Sequence, residues 1–121
     1  MTMKINVIED TLQIEIPLNE NLDNQALQEL QFQILAKKWK EEAKFLSFAS
    51  EMAKLPSYQQ IIAMGKAIVP FILKMLESEP QHWFIALNTI TAENPVSPEH
   101  KGDINQMTND WLTWGKNNGY L

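Results

Sequence analysis

The chain has 121 residues, 45% of them apolar and 21% charged, with four tryptophans and no cysteine. That is enough apolar side chain for the core of one ordinary domain, and it excludes disulfides, thiolate catalysis and cysteine-held zinc or iron–sulfur centres. The formal charge is −5 and all ten basic residues are lysine, which argues against direct nucleic-acid binding and suits a basic protein partner.

Met1-Thr2-Met3-Lys4-Ile5-Asn6 holds no apolar run of signal-peptide length. No stretch reaches the roughly eighteen apolar residues of a membrane span. A cytoplasmic protein with no membrane contact is expected. Within residues 1–20, Ile5, Val7, Leu12, Ile14 and Ile16 alternate with polar residues, the period of a strand. Glu9-Asp10-Thr11 marks a turn between two such runs, and Pro17 and Asn19 end the second. The pattern predicts an N-terminal β-hairpin arm. Two strands alone are marginal in water, so the arm needs cover from the helical part, from a partner or from a second copy.

Residues 21–121 read as a helical domain. Residues 22–55 contain neither glycine nor proline. Asn21 or Asp23 can cap a helix start there, and Ala26, Leu27, Leu30, Ile34 and Leu35 keep helical spacing, as do Leu35, Trp39, Ala43, Leu46 and Ala53. The expectation is a long helix over 22–55, or two helices with a joint near Ser47. Lys37, Lys38, Lys40, Glu41 and Glu42 read as a solvated face with local ion pairs. Trp39, set among those lysines, is the aromatic best placed to reach the surface, with packing as the favoured reading.

The core is expected in residues 56–120. Pro56-Ser57 opens a short helix over 58–64 that Gly65 closes. A second helix runs from Lys66 or Val69 to Glu77, with Pro70 tolerated in its first turn. Its buried stripe is Ile68, Ile72, Met75 and Leu76. Ser78-Glu79-Pro80 stops it, and a third helix over 81–91 buries Trp83, Phe84, Leu87 and Ile90. Asn94-Pro95-Val96-Ser97-Pro98 is a loop. Asp103, with Gln106 three residues on, caps a last helix whose apolar face is Ile104, Met107, Trp111 and Trp114 and which Gly119 ends. Trp83, Trp111 and Trp114 read as core, and Asn88, Asn94 and Asn105 as capping and turn residues.

Two stretches carry a resemblance. Residues 61–76, Ile-Ile-Ala-Met-Gly-Lys-Ala-Ile-Val-Pro-Phe-Ile-Leu-Lys-Met-Leu, resemble the first helix of a HEAT-type unit, and Trp83-Phe84-Ile85-Ala86-Leu87-Asn88-Thr89-Ile90 is similar to the second. A single unit implies a capped helical hairpin, since repeat stacks need about three units. The wider stretch, from Ser57-Tyr58-Gln59-Gln60 through Glu93-Asn94-Pro95-Val96 to Trp111-Leu112-Thr113-Trp114-Gly115, also resembles a family of small bacterial proteins of cyanobacterial type. That resemblance implies a bacterial cytosolic source and brings no catalytic residues.

No motif carries chemistry. His82 and His100, with Glu79, Glu99 and Asp103, lack the helical spacing of a metal site. No Gly-x-Ser-x-Gly turn is present, and Gly65-Lys66 lacks the frame of a phosphate loop. Paired carboxylates such as Glu41-Glu42 sit in polar contexts that do not raise a pKa. The reading is therefore mainly α, with one HEAT-like hairpin preceded by a short β-hairpin and a long helix. No catalytic, cofactor-binding or metal-binding residue is assigned, and no cofactor. The expected function is a non-enzymatic interaction module, the antitoxin-like or adaptor half of a bacterial two-gene pair. A small-ligand-binding or regulatory helical domain is the alternative. The expected partner is a protein of basic character, or a second copy met through the arm. The surface assigned to it is Ile5, Val7, Leu12, Ile14, Ile16 and Trp39.

Overall fold

A computed structural model describes residues 24–121 in full and the backbone alone for 2–7 and 12–17; residues 1, 8–11 and 18–23 lie outside the described residues. The two backbone segments, β1 (Thr2–Val7) and β2 (Leu12–Pro17), run antiparallel with Thr2 opposite Pro17 and Val7 opposite Leu12. The turn expected at Glu9-Asp10-Thr11 and the caps expected at Asn21 or Asp23 lie outside the described residues.

From residue 24 onward the chain is helix and loop: α1 (Asn24–Ala43), α2 (Ala49–Ala53), α3 (Pro56–Ala63), α4 (Val69–Ser78), α5 (Phe84–Thr91) and α6 (Ile104–Asn117). Short 3₁₀ turns at Gly65–Ile68 and Pro98–His100 lead into α4 and towards α6.

The span 22–55 is not one helix. It divides near the joint expected at Ser47, because α1 ends at Ala43, α2 begins at Ala49, and Phe48 between them is extended at φ −112°, ψ 135°. No glycine or proline causes this break. The cause is tertiary. The Trp39 indole N–H donates to the Met52 carbonyl oxygen at 2.9 Å. In an unbroken helix thirteen residues would separate these groups by about 20 Å of axial rise. Folding α2 back also buries Ala53. The carbonyls that end α2 find side-chain donors, Trp39 for Met52 and the Gln59 amide for Ala53 at 2.7 Å. Orphan carbonyls at a helix end need such partners.

Later boundaries follow local punctuation. Pro56 sits in the first turn of α3 and Pro70 in that of α4, where a missing N–H loses no intrahelical bond. Gly65 adopts φ +78° just after α3, a conformation that glycine takes without Cβ strain. Asp103 caps α6, its carboxylate accepting the Gln106 N–H at 3.1 Å. α5 starts three residues later than the expected Gln81 and ends on Ala92 in the left-handed region at φ 59°. Holding a non-glycine residue there costs roughly 1–2 kcal/mol.

The core is one cluster drawn from every long helix. Phe32, Ala36, Trp39 and Ala43 form the buried stripe of α1, with Leu27, Leu30 and Ile34 only half-buried. Tyr58 and Ile61 come from α3, Ile72, Leu73 and Leu76 from α4, Ala86 and Leu87 from α5, and Trp111 from α6. At its centre four rings meet. Trp83 lies 4.5 Å from Trp39, 5.5 Å from Tyr58 in a stack, and 5.8 Å from Phe32, centroid to centroid. Each such pair adds about 0.5–1.5 kcal/mol beyond area burial. α6 lies along α4 at Gly115, where a Cβ would fall 2.6 Å from Leu73 Cδ1, so any larger residue there would displace the Leu73 side chain.

Candidate functional site

Residues 44–48, Lys-Phe-Leu-Ser-Phe, form a knuckle where α1 turns back into α2. The Leu46 N–H ties it to α1 by donating to the Ala43 carbonyl at 2.9 Å. The fold-back directs Leu46 partly inward and leaves Phe45 81% and Phe48 70% exposed. Among the described residues no other large apolar side chain comes near these values; Leu121 and Ile85 follow at 39% and 37%. Each exposed phenylalanine forgoes about 1.5–3 kcal/mol of burial. The Lys44 ammonium stands 5.4 Å over the Phe45 ring and pairs with Glu41 at 3.0 Å. The hydrogen bond from Lys44, first, and the lysine's charge hold the Glu41 carboxyl below its ordinary pKa.

Next to the knuckle lies an apolar cleft of about 300 Å³. Its walls are Ala49, the residue after Phe48, with Phe84 and Ile85 from α5 and Ile104 and Met107 from α6; His82 and Lys101 also line it. A second recess of about 280 Å³ shares His82 and Ile104 with it and extends to Ala43 and Lys44 at the end of α1. The apolar lining thus runs from the cleft to the knuckle. Ile85 is placed there by the late start of α5. Tyr58 sets that start, since its hydroxyl accepts the Ala86 N–H at 2.9 Å and donates to the His82 carbonyl at 3.0 Å. A buried phenol therefore does the capping that Trp83, in the N-cap position, does not. Burial pushes the phenol pKa above its ordinary value, so it keeps the proton it donates.

Trp39 does not belong to a partner surface. It is 2% exposed and packs against Tyr58 and Trp83. The lysines around it lie on the rest of the helix circumference, and Lys40 pairs with Glu79 at 2.8 Å. The side chains of Ile5, Val7, Leu12, Ile14 and Ile16 lie outside the described residues. Trp83 and Trp111 are fully buried, while Trp114 is half-buried and stacks on Tyr120 at 5.2 Å. Asn88 donates to the Glu93 carbonyl and Asn94 accepts the Val96 N–H, the turn roles read from sequence.

A polar cluster closes the loop before α6. His100 Nδ1 lies 2.7 Å from Asp110 Oδ2, and the Ser97 N–H donates to the same oxygen at 3.2 Å. The Ser97 hydroxyl bonds Glu99 rather than His100, so the three residues do not form a relay that would activate the serine. The imidazole, first, and the Ser97 N–H lower the Asp110 pKa; the Ser97 hydroxyl does the same for Glu99. Sequence reading placed His100 in a surface loop and missed its partner, ten residues on and without any spacing rule to reveal it. His82 lines the cleft. Among the described residues no three histidine, aspartate or glutamate side chains converge as a metal set, and no helix is long and apolar enough to cross a membrane.

No protein-family model, curated protein or solved structure matches this chain.

Proposed function

We propose that this chain is a non-enzymatic protein-interaction module, the adaptor or antitoxin-like half of a bacterial two-gene pair, acting in the cytoplasm. The observation that carries the reading is the pair Phe45 and Phe48, held in water by a knuckle that the core itself imposes. Contiguous exposed apolar surface beside an apolar cleft is the mark of an interaction site. The contact face is the knuckle with its cleft, and the HEAT-like pairing of α4 and α5 serves as its rigid backing. Net acidity suits a basic protein around that apolar centre.

The test is the size of the assembly in native-host extract. Tagged wild-type chain is expected to run as a stoichiometric complex well above one-chain mass. The double substitution Phe45→Asp with Phe48→Asp is expected to return it to one-chain mass with unchanged helical circular dichroism. A wild-type chain at one-chain mass in that extract would sink the reading.

The cleft volume favours a second reading, a small-ligand-binding helical domain. Its roughly 300 Å³ lies at the lower end of ligand pockets. An apolar probe that raises the melting temperature of wild type, but not of Met107→Lys, would support that reading.

A further inference from the structure

We infer that the apolar cleft and a recess beside it form one site for a small monocarboxylate, its aromatic or alkyl body in the cleft and its carboxylate held by Lys101 and Asn94. The inference rests on the second reading above, a ligand-binding cleft, and names the class of ligand. The recess measures about 380 Å³, and Lys101 and Met107 line both it and the cleft. The two differ in chemistry. Phe84, Ile85 and Ile104 wall the cleft, whereas Asn88, Asn94 and Ser97 line the recess. A ligand that is apolar at one end and polar at the other matches such a pair. Phe45 and Phe48 line neither space, so this site does not draw on the knuckle's exposed rings.

Hydrogen bonding and charge choose the head group. The Asn88 amide is committed to the Glu93 carbonyl, the Ser97 N–H to Asp110 and the Ser97 hydroxyl to Glu99. Asn94 spends its carbonyl oxygen on the Val96 N–H, which leaves its amide N–H groups without an acceptor among the described residues. Lys101 has no ion pair among the described residues. The acids that flank it in sequence are engaged by others, Glu99 by the Ser97 hydroxyl and Asp103 by the Gln106 N–H. The donors left over in the recess are an ammonium and an amide, and they call for an anionic acceptor. One uncompensated lysine, in a chain of net charge −5, suits a single negative charge and disfavours a dianion such as a phosphate ester. Size sets the body. An apolar cavity of about 150 Å³ takes one benzene. A cleft of about 300 Å³ therefore takes a ring with a short alkyl chain, and Met107 supplies a wall that adapts to aromatic rings.

The experiment is isothermal titration of the purified full chain, at neutral pH, with phenylbutyrate and with phenylbutanol, its uncharged counterpart. Both are expected to bind, the acid about tenfold more tightly, the worth of one charge-assisted hydrogen bond. Lys101→Met keeps the side-chain stem and removes the charge. It is expected to bring the acid down to the affinity of the alcohol and to leave the alcohol unchanged. Phe45→Ala with Phe48→Ala is expected to leave both affinities unchanged. Loss of acid binding in that double variant would place the probe on the knuckle and overturn the inference. Equal affinities for the two probes in wild type, or a preference for the acid that survives Lys101→Met, would overturn it too, while the ligand-binding reading stands. If neither probe binds up to millimolar concentration, both fall.

Discussion

Tyr58 connects three parts of the molecule through one hydroxyl. It fills the core beside Trp39 and Trp83, accepts from the first turn of α5 and donates to the loop before it. Phenylalanine at this position keeps the ring and removes both hydrogen bonds, leaving a buried N–H at Ala86 unpaired. A lone unsatisfied buried group costs about 1–3 kcal/mol. Tyr58→Phe is expected to lower the unfolding free energy by that amount, read as a lower urea midpoint with an unchanged slope. A midpoint equal to wild type would show that the phenol is not the cap of α5. Sequence reading does not reach this role. Tyrosine has no cap propensity, and the bonded residues lie 24 and 28 positions away.

Elements show two kinds of boundary. Those written by local chemistry were legible: Pro56 and Gly65 frame α3, Pro70 opens α4, and Asp103 starts α6. The break at residues 44–48 was legible only as one of two readings, a joint near Ser47, because the helical spacing continues through Leu46 and no glycine or proline marks a stop. It exists because Trp39 reaches Met52 only when α2 folds back. Trp39→Phe removes that bond and shrinks a buried ring, and is expected to destabilise the fold by about 1–3 kcal/mol. The loss is also expected to be local. Amide exchange at residues 49–55 should accelerate more than exchange in α4. Equal acceleration throughout would mean that the fold-back does not depend on this bond.

The whole molecule is closed at its end by the His100–Asp110 contact, which ties the loop before α6 to that helix. Asp110 has a folded pKa below its ordinary value. Its contribution to stability is therefore present above the unfolded value of about 3.9 and lost as pH falls through the folded pKa. Asp110→Asn keeps an acceptor for Ser97 and removes the charge. Wild type is expected to be the more stable above about pH 4, with the difference closing as the pH falls below that. Urea unfolding across that range measures it, and a difference that stays constant with pH would refute the assignment.

Sequence by itself determined the helical class of residues 24–121, most helix ends and the core roles of Trp83 and Trp111, since propensity, caps and periodicity act over a few neighbouring residues. Only the tertiary structure decided that Trp39 lies inside, that Tyr58 caps α5 and that Phe45 and Phe48 lie outside. Those outcomes depend on partners 13 to 28 residues away, whose positions exist only once the helices have packed. Burying one aromatic, Trp39, forces the turn that exposes two others, a competition no local pattern records.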